Sequence, residues 1–599
     1  MTDLPPRHVV AALRWPLCAA LTAIALLAHA EPSATSPLIT DPAQLAALQA
    51  NPLRFGRAVF GSEVEDLPAL YREQRGYRDL CAVIEGDVSA EGRRHPRARV
   101  GMASAERLFD LRWLRSPDVR FDLVGVSLRL DRQPFATRTG TCGELRAIYR
   151  LAYRTRRHGE ADGSRLPLTV NATRWLPGDC HTWAKRWQSD PIAVSRGFSS
   201  LPMRAVELNV QTVRLPSTMR PDLGGDALYA LRALQPASDG LQPGLLENQP
   251  DGVRLSADPA LRAALSAFLA DPATHAAIDA GIARAPESLL ARAAVSVAPH
   301  GLARAANRPW TALASATDVQ ALGAGDLQLG QQRLRRLDQQ ACSGCHHARS
   351  VAGFHLLGAG VRAADGVPMR VIGALARPAS PHLEADLPRR TAALQTWARG
   401  QAPDLTRPPA EAPRQPMEAG EGERCGLRLE RGWRCGAGLS CLAIDDEDVG
   451  NCHRPRPGIG DPCLPGALTT VNGRETVSRP QRRACSGPRS YCESPRVGFP
   501  SGLCAAACDP ERRAEGRASD PDACAGIPGI IAFNACLARG APFAACVAAA
   551  LRPARLARCD LNRPCREDYA CAHGPTAADV CMPPYFLQEL RVDGHARLR

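Results

Sequence analysis

Apolar and polar side chains tend to alternate along the first third of the chain. Phe121-Asp122-Leu123-Val124-Gly125-Val126-Ser127-Leu128-Arg129-Leu130 is one such run. In Arg146-Ala147-Ile148-Tyr149-Arg150-Leu151-Ala152-Tyr153-Arg154 bulky apolar and charged residues partly alternate, and residues 166–175 and 206–215 give two more runs. Successive side chains of a strand point to opposite faces, so a period of two predicts strands. Four strands joined by polar loops predict an antiparallel sheet, and residues 31–219 read as a mixed α+β domain. Neither a Gly-rich phosphate loop nor a nucleophile elbow interrupts it.

From about residue 221 the period becomes helical. Asp258-Pro259-Ala260-Leu261-Arg262 predicts a helix start, with the aspartate as cap and proline in the first turn. Further helices are expected at 272–284 and 286–295. Segment 317–341 carries Val319, Leu322, Leu327, Leu329, Leu334 and Leu337, but Gly323 and Gly325 break it, leaving a helix over 328–341. That helix runs straight into Cys342-Ser343-Gly344-Cys345-His346.

A chain of 599 residues is too long for one core. Its 22 cysteines are unevenly spread, six before residue 420 and sixteen from Cys425 to Cys581, and the break coincides with a linker at 401–424 rich in Pro, Ala and Glu. The fold class expected is multidomain: an α+β N-terminal domain, a mainly helical region at 220–327, a small c-type haem domain at 328–400, and disulfide-rich modules at 425–585 with an extension at 586–599. In the tail Cys425, Cys435, Cys441 and Cys452 have nine, five and ten residues between them. Cys485, Cys492 and Cys504 have six and eleven, with Cys463 upstream, and Cys559, Cys565, Cys571 and Cys581 have five, five and nine. These are three related small modules in which crosslinks replace a core. An insert with Cys508, Cys524, Cys536 and Cys546 precedes the last, and Phe533 to Leu551 reads as a helical hairpin.

Arg7 and Arg14 precede an apolar run ending Ala28-His29-Ala30, so residues 1–30 read as a secretory signal peptide and the mature chain as periplasmic or secreted. No later segment reads as an integral membrane span. The net charge of +13 rests almost wholly on arginine and is read as a solvated surface; no dense basic run with interleaved aromatics indicates nucleic acid.

Cys342-Ser343-Gly344-Cys345-His346 has a mechanical meaning. In c-type haem attachment two thiols add across the porphyrin vinyl groups, and the adjacent histidine binds the iron as proximal ligand. A thioredoxin-type dithiol would need a preceding buried strand, whereas a polar helix precedes here. A zinc site lacks a second ligand pair at finger spacing, and a plain disulfide is the remaining alternative. On this motif and its approach helix, residues 328–400 resemble a c-type cytochrome domain. Together with Gly353-Phe354-His355-Leu356-Leu357-Gly358, the motif makes the whole chain resemble an uncharacterised family of exported Gram-negative proteins with a cytochrome c domain and a Cys-rich tail. The resemblance implies haem c held by Cys342 and Cys345, with His346 on iron, and supplies no reaction. No methionine stands at the usual distal distance: Met369 lies closer and Met417 falls in the linker, with His355 and His382 as the other distal candidates.

Cys142 and His181 could form a Cys/His catalytic pair, but a Cys142–Cys180 disulfide between neighbouring strands is preferred. Cleavage after Ala30 leaves 21 cysteines and haem attachment would use two, so at least one cysteine stays free or crosslinks to another molecule; Cys81, in an apolar setting, is the one expected to be free. The leading functional expectation is one-electron transfer with an unidentified redox partner. A haem enzyme of peroxidase or oxidase type with an open distal site is an alternative. A disulfide-rich binding protein without haem is another, and whether the chain is an enzyme stays open.

Overall fold

The computed structural model describes residues 36–101, 106–136, 140–157, 160–215, 226–298, 305–346 and 381–407, with short stretches between 417 and 582. Its framework is one antiparallel sheet of nine strands. These are β1 (Leu38–Ile39), β2 (Arg107–Leu108), β3 (Val119–Arg129), β4 (Thr141–Arg157), β5 (Glu160–Pro177), β6 (Met203–Leu215), β7 (Asp226–Ala237), β8 (Gly240–Pro243) and β9 (Ala294–Ala298). The order is β1-β3-β4-β5-β6-β7-β8, with β2 added on β6 and β9 on β7. The four alternating segments are β3 to β6.

The expectation of a mainly helical region at 220–327 needs correction. β7 and β9 lie inside it and extend the sheet, so the boundary drawn at 219 passes through paired strands, Val206 opposite Leu234 and Leu215 opposite Asp226. The β7 run Ala227-Leu228-Tyr229-Ala230-Leu231 is made of good helix formers, but the open edge of β6 supplies ladder bonds that outweigh a few tenths of a kcal/mol per residue of propensity. Ala294–Ala298 is strand for the same reason, and only a short 3₁₀ turn, Glu287–Leu289, stands where a helix over 286–295 was expected. Asp258 does cap the helix Pro259–Ala270. The helix expected over 272–284 stops at Asp279, because Gly281 takes φ 71°, a left-handed C-terminal geometry.

The sheet has two unlike faces. Leu145, Ala147, Tyr149 and Leu151 of β4, with Phe121 and Leu128 of β3 and Val170 and Leu208 beside them, join the main core. Helices Pro42–Gln49, Arg75–Arg94 and Cys180–Ser189 cover that face with Leu45, Tyr77, Leu80, Ile84 and Trp187. Asp122, Glu144, Arg146, Arg150, Thr169 and Asn171 lie at the intervening positions and are buried as well. The helix Pro381–Ala398 covers part of this second face, where Leu383 meets Val124 and Ile148. A separate core joins Leu265, Leu269 and Trp310 to Leu334 and Leu337 of the helix Leu327–Gln340, so the start of the expected haem domain shares its packing with residues from 255 onward. Residues 401–407, expected to begin the linker, are also part of the body: the Arg407 amide donates to the Ala280 carbonyl at 2.8 Å and its side chain is buried.

In the tail, Cys441 stands directly opposite Cys452, Cys492 opposite Cys504 and Cys571 opposite Cys581, each across an antiparallel pair. The last two cysteines of all three repeats thus occupy one hairpin position. Cys435 is bonded to Cys452. The hairpin expected over 533–551 and the signal segment 1–30 lie outside the described residues.

Candidate functional site

The helix Leu327–Gln340 starts at Asp326, whose carboxylate accepts from the Gln328 and Leu329 amides, and its apolar side buries Leu334 and Leu337. Its end is held by polar contacts. Asp338 is fully buried and accepts from the Trp310 amide at 2.8 Å, the Thr311 amide at 3.4 Å and the Thr311 hydroxyl at 2.5 Å. Burial outweighs those three donors and pushes the Asp338 carboxyl up to about 7. Gln340 accepts from the Ala283 amide at 3.0 Å.

The chain then turns into the 3₁₀ segment Cys342–His346. Ser343 is buried between two partners: its amide donates to Gln249 Oε1 at 3.0 Å, and its carbonyl accepts from the Ser296 hydroxyl at 2.7 Å. A Cβ at Gly344 would stand 2.2 Å from the Asp338 carbonyl oxygen, so glycine is required for the turn to fold back on the helix end. The Cys342 thiol donates to the Glu247 carbonyl at 3.4 Å.

Cys342 borders a cleft enclosing about 660 Å³, part of it open to solvent. Apolar lining comes from Ala205, Ala233, Leu245 and Leu246, and charge from Arg132, Arg146, Arg204, Arg232, Glu207 and Glu247. Arg146 and Glu207 belong to the buried second face of the sheet and Arg132 and Glu247 reach it from a 3₁₀ turn and a loop, whereas Arg232, opposite Leu208, lies on the other face and pairs with Asp87. Glu144 meets Arg146 at 2.7 Å, Arg204 at 3.3 Å and Arg132 at 3.7 Å. Arg146 reaches Glu207 at 3.1 Å, Arg204 reaches Glu207 at 2.9 Å, and Arg132 forms a two-pronged pair with Glu247. Burial alone would raise the Glu144 carboxyl, but Arg146, Arg204 and Arg132 hold it well below the usual carboxylate range. Glu247 is lowered too, Arg132 overcoming its burial. At neutral pH the network is therefore a set of fixed ions lining the same cleft as Cys342.

The side chains of Cys345 and His346 lie outside the described residues, as do Met369 and His355. His382 sits in the first turn of the helix Pro381–Ala398 and Met417 opens the strand Met417–Ala419, both described by backbone only. Among the described residues no group of three or more His, Cys, Asp and Glu is placed to hold a metal ion, and no helix is long and apolar enough to cross a membrane.

The Cys142–Cys180 disulfide is present, joining the start of β4 to the first residue of the helix Cys180–Ser189 rather than two strands. His181 Nδ1 lies 2.9 Å from the Trp397 carbonyl. With its sulfur bonded, Cys142 has no thiol to act as a nucleophile. Cys81 is buried and in no disulfide, and burial pushes its thiol up to about 12. The alternation of Glu144, Arg146 and Arg150 with apolar neighbours was the one visible sign of the charged network. It marks a polar sheet face without saying whether water or protein covers it. Part of the arginine charge, expected to be solvated, is instead interior: Arg129, Arg132, Arg146, Arg150, Arg390 and Arg407 are all buried. Compared with protein-family models, curated proteins and solved structures, the chain matches none.

Proposed function

We propose that the chain is an exported c-type haemoprotein that passes single electrons through one haem attached at Cys342 and Cys345, with His346 as proximal ligand. The observation that carries this reading is the turn Cys342–His346, which leaves the end of a half-buried helix directly and is locked by Gln249, Ser296 and the close approach of Gly344 to Asp338. Two thiols and an imidazole within five residues form the donor set that covalent haem attachment needs. When bound, haem supplies a reversible one-electron iron couple. The protein's part is positional: Ser343 fixes the turn through Gln249 and Ser296, and the Glu247 carbonyl accepts a hydrogen bond from the Cys342 thiol before attachment. Met369, His355 and His382 are the distal candidates.

The test is an absorption spectrum and intact mass of the chain made in a host with haem-attachment machinery. The expected result is a mass one haem above the apo chain and colour that survives acid-acetone extraction. Gly344→Ala, which drives a methyl into the Asp338 carbonyl of the folded turn, is expected to lower the thermal midpoint of the haem-loaded chain. A colourless protein of apo mass refutes the reading and leaves the binding-protein alternative. A low-spin six-coordinate spectrum supports electron transfer, and a high-spin five-coordinate one selects the haem-enzyme alternative.

A further inference from the structure

A second charged cluster, next to the cleft, is not balanced among the described residues. Arg129 donates to Asp131 through Nε at 2.8 Å and Nη2 at 3.0 Å. Arg389 bridges Asp131 at 3.0 Å and Asp386 at 2.8 Å. Arg390 and Arg407 each donate to the same oxygen of Asp386 at 2.6 Å. Four guanidinium groups thus face two hydrogen-bonded carboxylates, with the exposed Asp404 acting on Arg389 only from outside the cluster. The neighbouring network offers no relief, because Arg132, Arg146 and Arg204 are matched by Glu144, Glu207 and Glu247. Three nitrogens of the cluster, Arg407 Nε, Arg407 Nη1 and Arg389 Nη1, are buried without a hydrogen-bond acceptor among the described residues. Arginine cannot escape such a position by losing its proton: even Arg129, lowered to about 10 by burial and by Arg390, stays charged at neutral pH. Burying unpaired cations is strongly unfavourable, whereas charge-assisted forks on an oxyanion are among the strongest hydrogen bonds available.

We infer that Arg129, Arg389, Arg390 and Arg407 form a binding site for a dianion bearing carboxylate or phosphate oxygens. The planar forks of Arg389 and Arg407, each anchored on Asp386 by one edge, leave other N–H groups for the ligand. The site is tied to the helix that leads to Cys342, since Arg336 of that helix donates to the Arg407 carbonyl. Two sources carry this chemistry: a free dianion such as inorganic phosphate, or the paired carboxylates of a haem attached at Cys342 and Cys345. The inference stands without the haem reading, and the test separates them.

The thermal midpoint of the purified full chain is followed against inorganic phosphate at constant ionic strength, with chloride as the control. For a free dianion the midpoint rises with the logarithm of phosphate concentration, and Arg407→Gln and Arg389→Gln each weaken the apparent affinity at least tenfold. The slope with phosphate is read, not the absolute midpoint, so a general loss of stability does not mimic the effect. If the haem carboxylates fill the site, the haem-loaded chain is indifferent to phosphate, while the same chain produced without haem attachment responds and loses the response with Arg407→Gln. Should that chain show no cooperative transition, the haem-loaded proteins are compared directly. Arg407→Gln is then expected to raise the pH at which the haem carboxylates titrate in the absorption spectrum, and an unchanged titration overturns the inference. Indifference to phosphate in both folded forms also overturns it. A chain that carries no haem yet binds phosphate through these arginines refutes the haem reading alone.

Discussion

Replacing Asp338 by asparagine isolates one buried carboxyl at the end of the helix that leads to Cys342. Its folded pKa is about 7, against 3.8 for the group in water. A carboxyl raised in this way favours the folded state while it is protonated, and that contribution is lost as pH rises from about 4 through 7. Three pKa units correspond to about 4 kcal/mol at about 1.4 kcal/mol each, an appreciable part of a typical folding free energy. Asparagine keeps the shape: its oxygen accepts from the Trp310 amide, and the Thr311 hydroxyl rotates to accept from its nitrogen. The assay is unfolding of both full-length proteins by denaturant at half-unit steps from pH 4 to 8. The wild type is expected to lose stability across this window relative to Asp338→Asn, with the gap between the curves changing by about 4 kcal/mol from pH 4 to 8. The paired carboxyls Asp131, Glu144 and Asp386 are all shifted downward, so their stability changes fall below the window and cancel in the comparison. Parallel curves from pH 4 to 8 would refute the reasoning and show that the three donors to Asp338 outweigh its burial.

Three further outcomes are expected. Asp386→Asn withdraws a carboxylate shared by Arg389, Arg390 and Arg407 and should cost about 3–5 kcal/mol, measured by denaturant titration; a change below 1 kcal/mol would show those ion pairs to be dispensable. Cys142→Ala opens a disulfide spanning 38 residues and should cost about 4 kcal/mol, while alkylation of the wild type without reductant should label Cys81 only after denaturation. Peptide mapping of the tail should find second-to-fourth and first-to-third pairing in every repeat, as in the observed Cys435–Cys452 bond: Cys425–Cys441, Cys463–Cys492, Cys485–Cys504, Cys559–Cys571 and Cys565–Cys581. A bond between Cys485 and Cys492 would break the scheme.

Local chemistry was legible wherever it was self-contained. The alternation in β3 to β6, the Asp258-Pro259 cap, the helix into Cys342 and the Cys142–Cys180 bond were all readable, because period, capping and cysteine reactivity act within a few residues or between neighbouring segments. β7 and β9 were not, since an Ala- and Leu-rich strand is defined by the edge it joins rather than by its own preference. The charged clusters were hidden for a similar reason. Arg132, Glu144 and Glu247 come from a 3₁₀ turn, a strand and a loop far apart in sequence, and Arg407 sits in a Pro-rich stretch whose composition resembles a linker. Charge in a sequence states valence but not depth.

The locked turn at Ser343 also sets an order of events in time. Its amide and carbonyl are held by Gln249 and Ser296, residues before it in the chain, while the Arg407 carbonyl that receives Arg336 is synthesised some sixty residues after Cys342. Once those contacts close, an enzyme that must grip the extended backbone around Cys342 has no strand of chain to hold. Any such covalent modification therefore belongs to the interval before folding, and a chain that folds before it is modified is kinetically committed to remain unmodified.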